Sequence, residues 1–71
     1  MKYIETDFYD ERVTFEDEGE VHSASLINSQ DDGQRMSATF WYRGVEYRLK
    51  KWMELVPNQG TTLNITITKE V

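Results

Sequence analysis

The residues that carry nucleophilic or ionisable groups offer few arrangements for catalysis. His22 is the only histidine, and it stands next to Ser23 in a chain rich in carboxylates. A serine activated by histidine needs the base held within hydrogen-bond reach, usually on a recognisable turn. The sequence has no nucleophile-elbow pattern and no phosphate-binding glycine loop. We therefore expect His22 to be a strand residue and the protein not to be an enzyme.

Two acidic turns contain oxygens of the kind that bind calcium. These turns are Asp17-Glu18-Gly19 and Asp31-Asp32-Gly33. Neither has the alternating spacing of a calcium-binding loop, so both are interpreted as turns. A pair of carboxylates also serves glycosidases, but a small domain has little room for a cleft that raises one pKa. The chain has one histidine and no cysteine, so we predict no metal site and no cofactor.

The segment FWYRGVEYRLKKW, residues 40–52, combines five aromatic and four cationic side chains in thirteen residues. Rings that stack on bases and cations that meet phosphates form surfaces for single-stranded nucleic acid, at about 1–3 kcal/mol per stacked base. The same composition arises in a β-hairpin whose rings form the core and whose cationic side chains cover the outer face. Strand alternation is needed to choose between these interpretations.

Acidic residues are concentrated in the first third of the chain. Residues 1–20 hold eight acidic residues against two basic ones, a net charge of −6, whereas residues 35–51 have a net charge of +4. Carboxylates at this density repel one another and cost folding free energy. They serve either to keep a small domain soluble or to face a basic partner, and the charge alone leaves both interpretations open.

Glycines and alternating apolar residues predict short antiparallel strands. The four glycines are spaced eleven to sixteen residues apart, which is the rhythm of strands joined by hairpins. In the segment TTLNITITK, residues 61–69, Leu63, Ile65 and Ile67 alternate with polar residues. This pattern predicts a half-buried strand with a threonine-rich outer face.

Hairpin geometry predicts which side chains face inward. A two-residue turn at Arg43-Gly44 would place Phe40 opposite Tyr47, and opposed residues share a face. A three-residue loop over residues 17–19 would place Phe15 opposite Val21. The predicted core face of the Arg43-Gly44 hairpin holds Ala38, Phe40, Tyr42, Val45, Tyr47 and Leu49. The predicted outer face holds Ser37, Thr39, Trp41, Arg43, Glu46, Arg48, Lys50 and Trp52.

These segments predict an all-β fold in one small domain over residues 1–71. The expected architecture is a small antiparallel five-stranded barrel or a twisted sheet. Apolar residues from Leu49 to Val56 fall at helical offsets, which predicts one short helical turn near residues 50–56. The order of elements resembles an SH3-like barrel, with an OB-like barrel as the next choice, although the ligand-binding aromatic motifs of SH3 domains are missing.

The acidic segment predicts a non-enzymatic protein–protein interaction module. Closely spaced carboxylates can imitate the phosphates of nucleic acid, which carry one charge per about 1.7 Å of duplex axis. We expect an inhibitor or decoy that covers a basic surface of a larger protein, such as a nucleic-acid enzyme. In size and charge the chain resembles small phage-encoded inhibitors of host nucleic-acid enzymes. The predicted partner-binding carboxylates are Asp7, Asp10, Glu11, Glu16, Asp17, Glu18 and Glu20, with Tyr3, Phe8 and Tyr9 as aromatic anchors.

Two alternatives remain. The first is a barrel that binds single-stranded nucleic acid through an exposed face of Trp41, Arg43, Arg48, Lys50 and Trp52. The second is a small structural subunit whose edge strand, residues 61–69, completes a partner's sheet or forms a homodimer.

The chain also shows no sign of membrane targeting. Its first eleven residues include no apolar segment of the signal-peptide type, and the longest apolar run is residues 40–42. We expect a cytoplasmic protein without a membrane partner.

Overall fold

The structure, a computed structural model, describes residues 1–70 and contains seven β-strands in two antiparallel sheets. Sheet A consists of β1 (Lys2–Asp7), β2 (Arg12–Asp17) and β3 (Glu20–Ser25), in that order. Sheet B consists of β4 (Ile27–Asp31), β5 (Arg35–Tyr42), β6 (Val45–Val56) and β7 (Gly60–Lys69), also in chain order. The chain passes from one sheet to the other at Leu26. The all-β prediction is confirmed.

The predicted five-stranded barrel is not observed. The strands instead form these two sheets, neither of which closes on itself. Closure would require the first and last strands, β1 and β7, to pair. The two strands approach each other, but no backbone hydrogen bond joins them within residues 1–70. The sequence patterns show where strands lie, but they do not determine whether the two ends of the strand series meet.

The predicted helical turn near residues 50–56 is wrong, because β6 continues to the residue before Pro57. Residues 47–56 of β6 pair one-to-one with residues 60–69 of β7. An isolated helical turn is unfavourable, because it fixes several backbone dihedral angles for a single hydrogen bond. Pairing with β7 instead gives every residue from 47 to 56 a cross-strand neighbour. The strand ends where Asn58 follows Pro57 with a φ of 67°, as a type II turn requires.

Two-residue turns set the register of both central hairpins. Arg43 and Gly44 have φ values of 53° and 74°, as a type I′ turn requires, and Phe40 faces Tyr47 as predicted. The β2–β3 turn is also of two residues rather than three, because Glu18 and Gly19 have φ values of 53° and 79°. Phe15 therefore lies opposite His22, and the predicted pairing of Phe15 with Val21 is wrong.

The core lies between the inner faces of the two sheets. Its rings come from both sheets: Phe15 lies 5.3 Å from Phe40 and 5.0 Å from Tyr42, and Phe40 stacks on Tyr47 at 5.6 Å between ring centroids. Trp41, which the alternation assigns to the outer face, is 56% exposed. The predicted division of the rings is confirmed. The buried apolar residues are Val13, Phe15, Leu26, Met36, Ala38, Phe40 and Leu49.

Removing a core ring should strongly destabilise the domain. Phe40→Ala should cost about 3–5 kcal/mol through lost burial and the cavity left behind. That is about half of the about 4–10 kcal/mol expected for a chain of this length. Urea denaturation followed by tryptophan fluorescence measures the loss. Tyr9→Ala is the control, because Tyr9 is 97% exposed and its removal should leave the midpoint unchanged. Equal midpoints for the two variants would contradict this account of the core.

Candidate functional site

The seven predicted carboxylates occupy the two ends of sheet A. The loop-end group, between β1 and β2, is Asp7, Asp10 and Glu11, and the hairpin-end group, around the β2–β3 turn, is Glu16, Asp17, Glu18 and Glu20. Strand β2 has six residues, so at about 3.3 Å per residue the groups lie about 17 Å apart. The acidic residues therefore form two groups and not one contiguous patch.

The hairpin-end group has cationic neighbours within the molecule. The terminal ammonium of Met1 lies 3.8 Å from Oδ1 of Asp17, and Nη1 of Arg43 lies 3.7 Å from Oε2 of Glu18. Ion pairs at the surface contribute only about 0–1 kcal/mol to stability. Their effect here is on the surface potential, because each cation offsets a carboxylate that the sequence alone shows as uncompensated.

His22 packs into the core beside this group. Its ring lies 5.8 Å from Phe15, and its Nε2 shares a hydrogen bond of 3.2 Å with the hydroxyl of Tyr42. Partial burial and the neighbouring carboxylate of Asp17 raise the pKa of the Tyr42 phenol. The adjacent Ser23 lies on the opposite face of β3, because successive residues of a strand alternate. The hydroxyl of Ser23 is therefore not directed at the imidazole of the neighbouring His22.

The loop-end group has no such compensation. No Lys, Arg, His or amino-terminal nitrogen among the described residues lies within 4.0 Å of Asp7, Asp10 or Glu11. The backbone N–H groups of Tyr9 and Asp10 donate to Oδ1 of Asp7 at 2.9 and 3.1 Å, which fixes the loop. Phe8 and Tyr9 stand between these carboxylates and are 59% and 97% exposed.

The loop lies against the overhanging end of the β6–β7 hairpin. Phe8, Met53 and Leu63 line a shallow groove of about 160 Å³, and Met53 and Leu63 are 52% and 54% exposed. The ammonium of Lys51 lies 4.7 Å from the centre of the Phe8 ring and holds it in place by a cation–π contact. We call the surface formed by Asp7, Phe8, Tyr9, Asp10, Glu11 and Met53 the aromatic–acidic end.

Tyr3, the third predicted anchor, is not available for binding. Its ring is half-buried against the core, and its hydroxyl shares a hydrogen bond of 2.7 Å with Thr6. The sequence did not show that Met53 would join Phe8 and Tyr9, because β6 was predicted to turn helical at that point. The continuation of the alternation from Leu49 through Lys51 to Met53 was the available signal.

The β4–β5 turn flanks the aromatic–acidic end and is locked by its own side chains. Asp31, which lines the same groove as Phe8, accepts a hydrogen bond from the N–H of Gly33 at 2.8 Å. Asp32 accepts from the N–H groups of Arg35 and Gln34, at 2.7 and 3.0 Å. These two donors stabilise the carboxylate and lower the pKa of Asp32.

The predicted aromatic–basic face is divided on the outer face of sheet B. Trp41 lies opposite Glu46 and Trp52 lies opposite Arg35, so the two indoles are separated by about 20 Å along β6 at about 3.3 Å per residue. Between them Arg48 forms an ion pair with Glu70. Trp41 and Trp52 therefore do not form one platform.

Both arginines of the predicted aromatic–basic face interact with groups other than the two tryptophans. Arg48 also donates from Nη1 to the hydroxyl of Ser37, at 2.8 Å. Arg43 lies at the β5–β6 turn, with its guanidinium 5.3 Å from the Tyr42 ring centre and close to Glu18. Neither arginine presents an uncompensated charge beside a tryptophan.

Trp52 instead borders a groove of about 460 Å³ that three cationic residues line, of which Arg35 and Lys50 lie on the outer face of sheet B. Arg35, Ser37, Lys50 and Trp52 line it, and we call this surface the tryptophan groove. No carboxylate of the described residues lies within 4.0 Å of the guanidinium of Arg35 or the ammonium of Lys50. Arg35 was missed as a site residue, although strand alternation from Phe40 back to residue 35 places it on the outer face.

Comparison with known protein families, with curated proteins and with solved structures finds no match to this chain. Residues 1–70 contain no helix that is long and apolar enough to cross a membrane. Within the same residues, no three or more His, Asp or Glu side chains form a group that could hold a metal ion.

The lowered pKa of Asp32 should make stability depend on pH. The carboxylate stabilises the fold fully above its unfolded pKa of about 3.9, and this contribution is lost as the pH falls through the lower folded value. Asp32→Asn keeps an acceptor oxygen but lacks the titration, so it should lose less stability on acidification than the wild type.

Urea midpoints measured from neutral pH to about pH 2 test this expectation. Asp10→Asn is the matched control, because it also removes one exposed carboxylate but no hydrogen bond to the Asp10 carboxylate is present in residues 1–70. A wild-type acid profile in Asp32→Asn would show that the turn does not contribute.

Proposed function

We propose that this chain is a non-enzymatic protein-binding module whose aromatic–acidic end docks on a basic surface of a larger protein. The expected partner is a cytoplasmic protein that handles nucleic acid, and the chain acts as an inhibitor or decoy. The observation that carries the proposal is the exposure of Phe8 and Tyr9 between uncompensated carboxylates. Aromatic side chains are enriched at the centre of protein interfaces, and polar residues form the surrounding rim.

Preorganisation of the loop supports the proposal. The two hydrogen bonds to Asp7 hold the backbone of Tyr9 and Asp10 in place before binding. A loop that is already ordered loses less conformational entropy on association. The exposed side chain of Met53 extends the apolar area beside Phe8. Together these features favour a surface that binds a partner over one that merely keeps the protein soluble.

The charge spacing supports a partner that normally binds nucleic acid. The two acidic groups hold seven carboxylates over about 17 Å along sheet A, whereas a duplex of that length carries about ten phosphate charges. Because the cations near Asp17 and Glu18 offset part of the hairpin-end group, the loop-end group provides most of the net negative field. Such a field steers association with a basic surface.

The test uses the immobilised chain and DNA-binding proteins purified on heparin. The wild type should retain a protein that duplex DNA then elutes. Phe8→Ala/Tyr9→Ala should weaken retention about tenfold or more, because an aromatic hot spot contributes about 2 kcal/mol. Asp10→Asn/Glu11→Gln should weaken it too and reduce its salt dependence.

Glu16→Gln/Glu18→Gln is the matched control, with the same loss of two charges at the hairpin end. It should retain the protein better than Asp10→Asn/Glu11→Gln. Retention that duplex DNA does not displace, or that is equal for the two charge variants, would refute the proposed docking surface.

A second candidate function is binding of single-stranded nucleic acid in the tryptophan groove. The specific observation is that Arg35 and Lys50 flank Trp52 and that neither of their charged groups forms an ion pair within the described residues. An indole can stack on a base while the two cations meet phosphates. The net charge of −5 opposes polyanions at a distance, so any binding has to be local to this groove.

Tryptophan fluorescence separates this candidate from the first. Trp41→Phe leaves Trp52 as the only indole and should be quenched by a short single-stranded oligonucleotide at low salt. Trp52→Phe leaves only Trp41, about 20 Å away, and should not respond. High salt should reverse the quenching, since phosphate contacts weaken with salt. Quenching in neither variant, or in both, would remove the groove as a nucleic-acid site.

A further inference from the structure

The two sheets have four edge strands, and three of them carry features that hinder pairing. Strand β1 has a register shift between Tyr3 and Glu5 and carries several charges. Strand β4 has only five residues, with an irregular register and a positive φ of 54° at Asn28. Strand β3 has six residues and begins with Glu20 beside the acidic hairpin. Short length, bulges and charge are the usual means of protecting an edge.

Strand β7 lacks these features. It has ten residues in unbroken register with β6, and residues 60–68 contain neither a charged side chain nor proline. Only β6 forms a backbone ladder with β7 in the part of the chain that the structure describes, and β1 approaches β7 without a backbone hydrogen bond to it. A long, regular and uncharged edge is a template for another strand.

We propose that β7 pairs antiparallel with β7 of a second copy, about a twofold axis at Ile65. The chain has a net charge of −5, so two copies repel each other as a whole, and residues 60–68 of β7 form a surface without charge at which this repulsion is reduced. A basic partner of the kind proposed above would gain no charge contact there. The strand is therefore suited to its own copy.

The position of the axis follows from the strand's alternation. Residues that face each other across an antiparallel pair must lie on the same side of the sheet. Centring on Ile65 places Leu63 opposite the partner's Ile67, and Asn64 opposite the partner's Thr66. Leu63, Ile65 and Ile67 of one copy then face the same apolar residues of the other, and residues 61–69 pair along their whole length. Leu63, which is 54% exposed, gains an apolar neighbour.

The resulting dimer is closed. The same strand is used by both copies, so the interface is isologous and leaves no β7 edge for a third chain. Sheet B becomes an eight-stranded sheet, and the two aromatic–acidic ends remain outside the paired strand. The inference goes beyond the proposed function, and neither depends on the other.

Mass measured by light scattering over a range of concentrations tests the pairing. The wild type should move from 8.4 kDa toward twice that mass as concentration rises. Thr66→Glu should weaken the dimer at least about tenfold, because it brings two carboxylates close together near the axis. Within one chain the new carboxylate faces Lys50, so the fold should be kept, which far-UV circular dichroism checks.

Ser29→Glu is the matched control, because it adds the same charge to β4, the other edge of sheet B. It should dimerise like the wild type. A wild type that stays monomeric at every concentration would overturn the proposal, and so would loss of the dimer in Ser29→Glu but not in Thr66→Glu. Masses that grow beyond the dimer would show open-ended pairing and would overturn it as well.

Cross-linking gives a second readout that leaves the charge unchanged. The chain has no cysteine, so Thr66→Cys adds a single reactive position. In the proposed register the two copies of this position lie about 8–9 Å apart between Cα atoms, from a strand spacing of about 5 Å and a rise of about 3.3 Å per residue. A short bis-maleimide should link Thr66→Cys and not Ser29→Cys. The reverse result would place the contact on β4.

Discussion

The packing of aromatic rings between the two sheets is the contact on which the rest of the structure depends. Phe15 from sheet A meets Phe40 and Tyr42 from sheet B, and these contacts join two sheets that have no continuous ladder between them. A chain of 71 residues without cysteine has no disulfide to supplement this core. The exposed rings of Phe8 and Tyr9 are tolerated because the core does not require them.

Local turn chemistry allowed part of the fold to be predicted from the sequence. The pair Arg43-Gly44 marks a two-residue hairpin, and the register from Phe40 opposite Tyr47 follows from it. The helical turn was predicted wrongly because the competing partner of β6 is β7, whose pairing depends on a turn beyond residue 56. Barrel closure could not be predicted for the same reason, since it depends on how β1 lies against β7.

The candidate site, like the fold, could be predicted from the sequence only in part. Composition alone shows the acidic excess, whereas the exposure of Phe8 and Tyr9 is known only from the structure. Which carboxylates are compensated depends on contacts between distant segments, such as Arg43 with Glu18. The sequence places these residues 25 positions apart, and only the hairpins bring them to one end of the molecule. The uncompensated charge of the loop-end group is therefore a result of the fold.

This small acidic chain carries surfaces of different charge, so it can offer several distinct contacts. The loop-end carboxylates lie at one end of sheet A, the cations of the tryptophan groove lie on the outer face of sheet B, and β7 between residues 60 and 68 has no charge. Phe8 and Arg35 line one groove, yet no ion pair within 4.0 Å joins the loop-end acids to a cation of the tryptophan groove in residues 1–70. The neutral edge of β7 is a surface on which two copies of this acidic chain can meet without bringing like charges together.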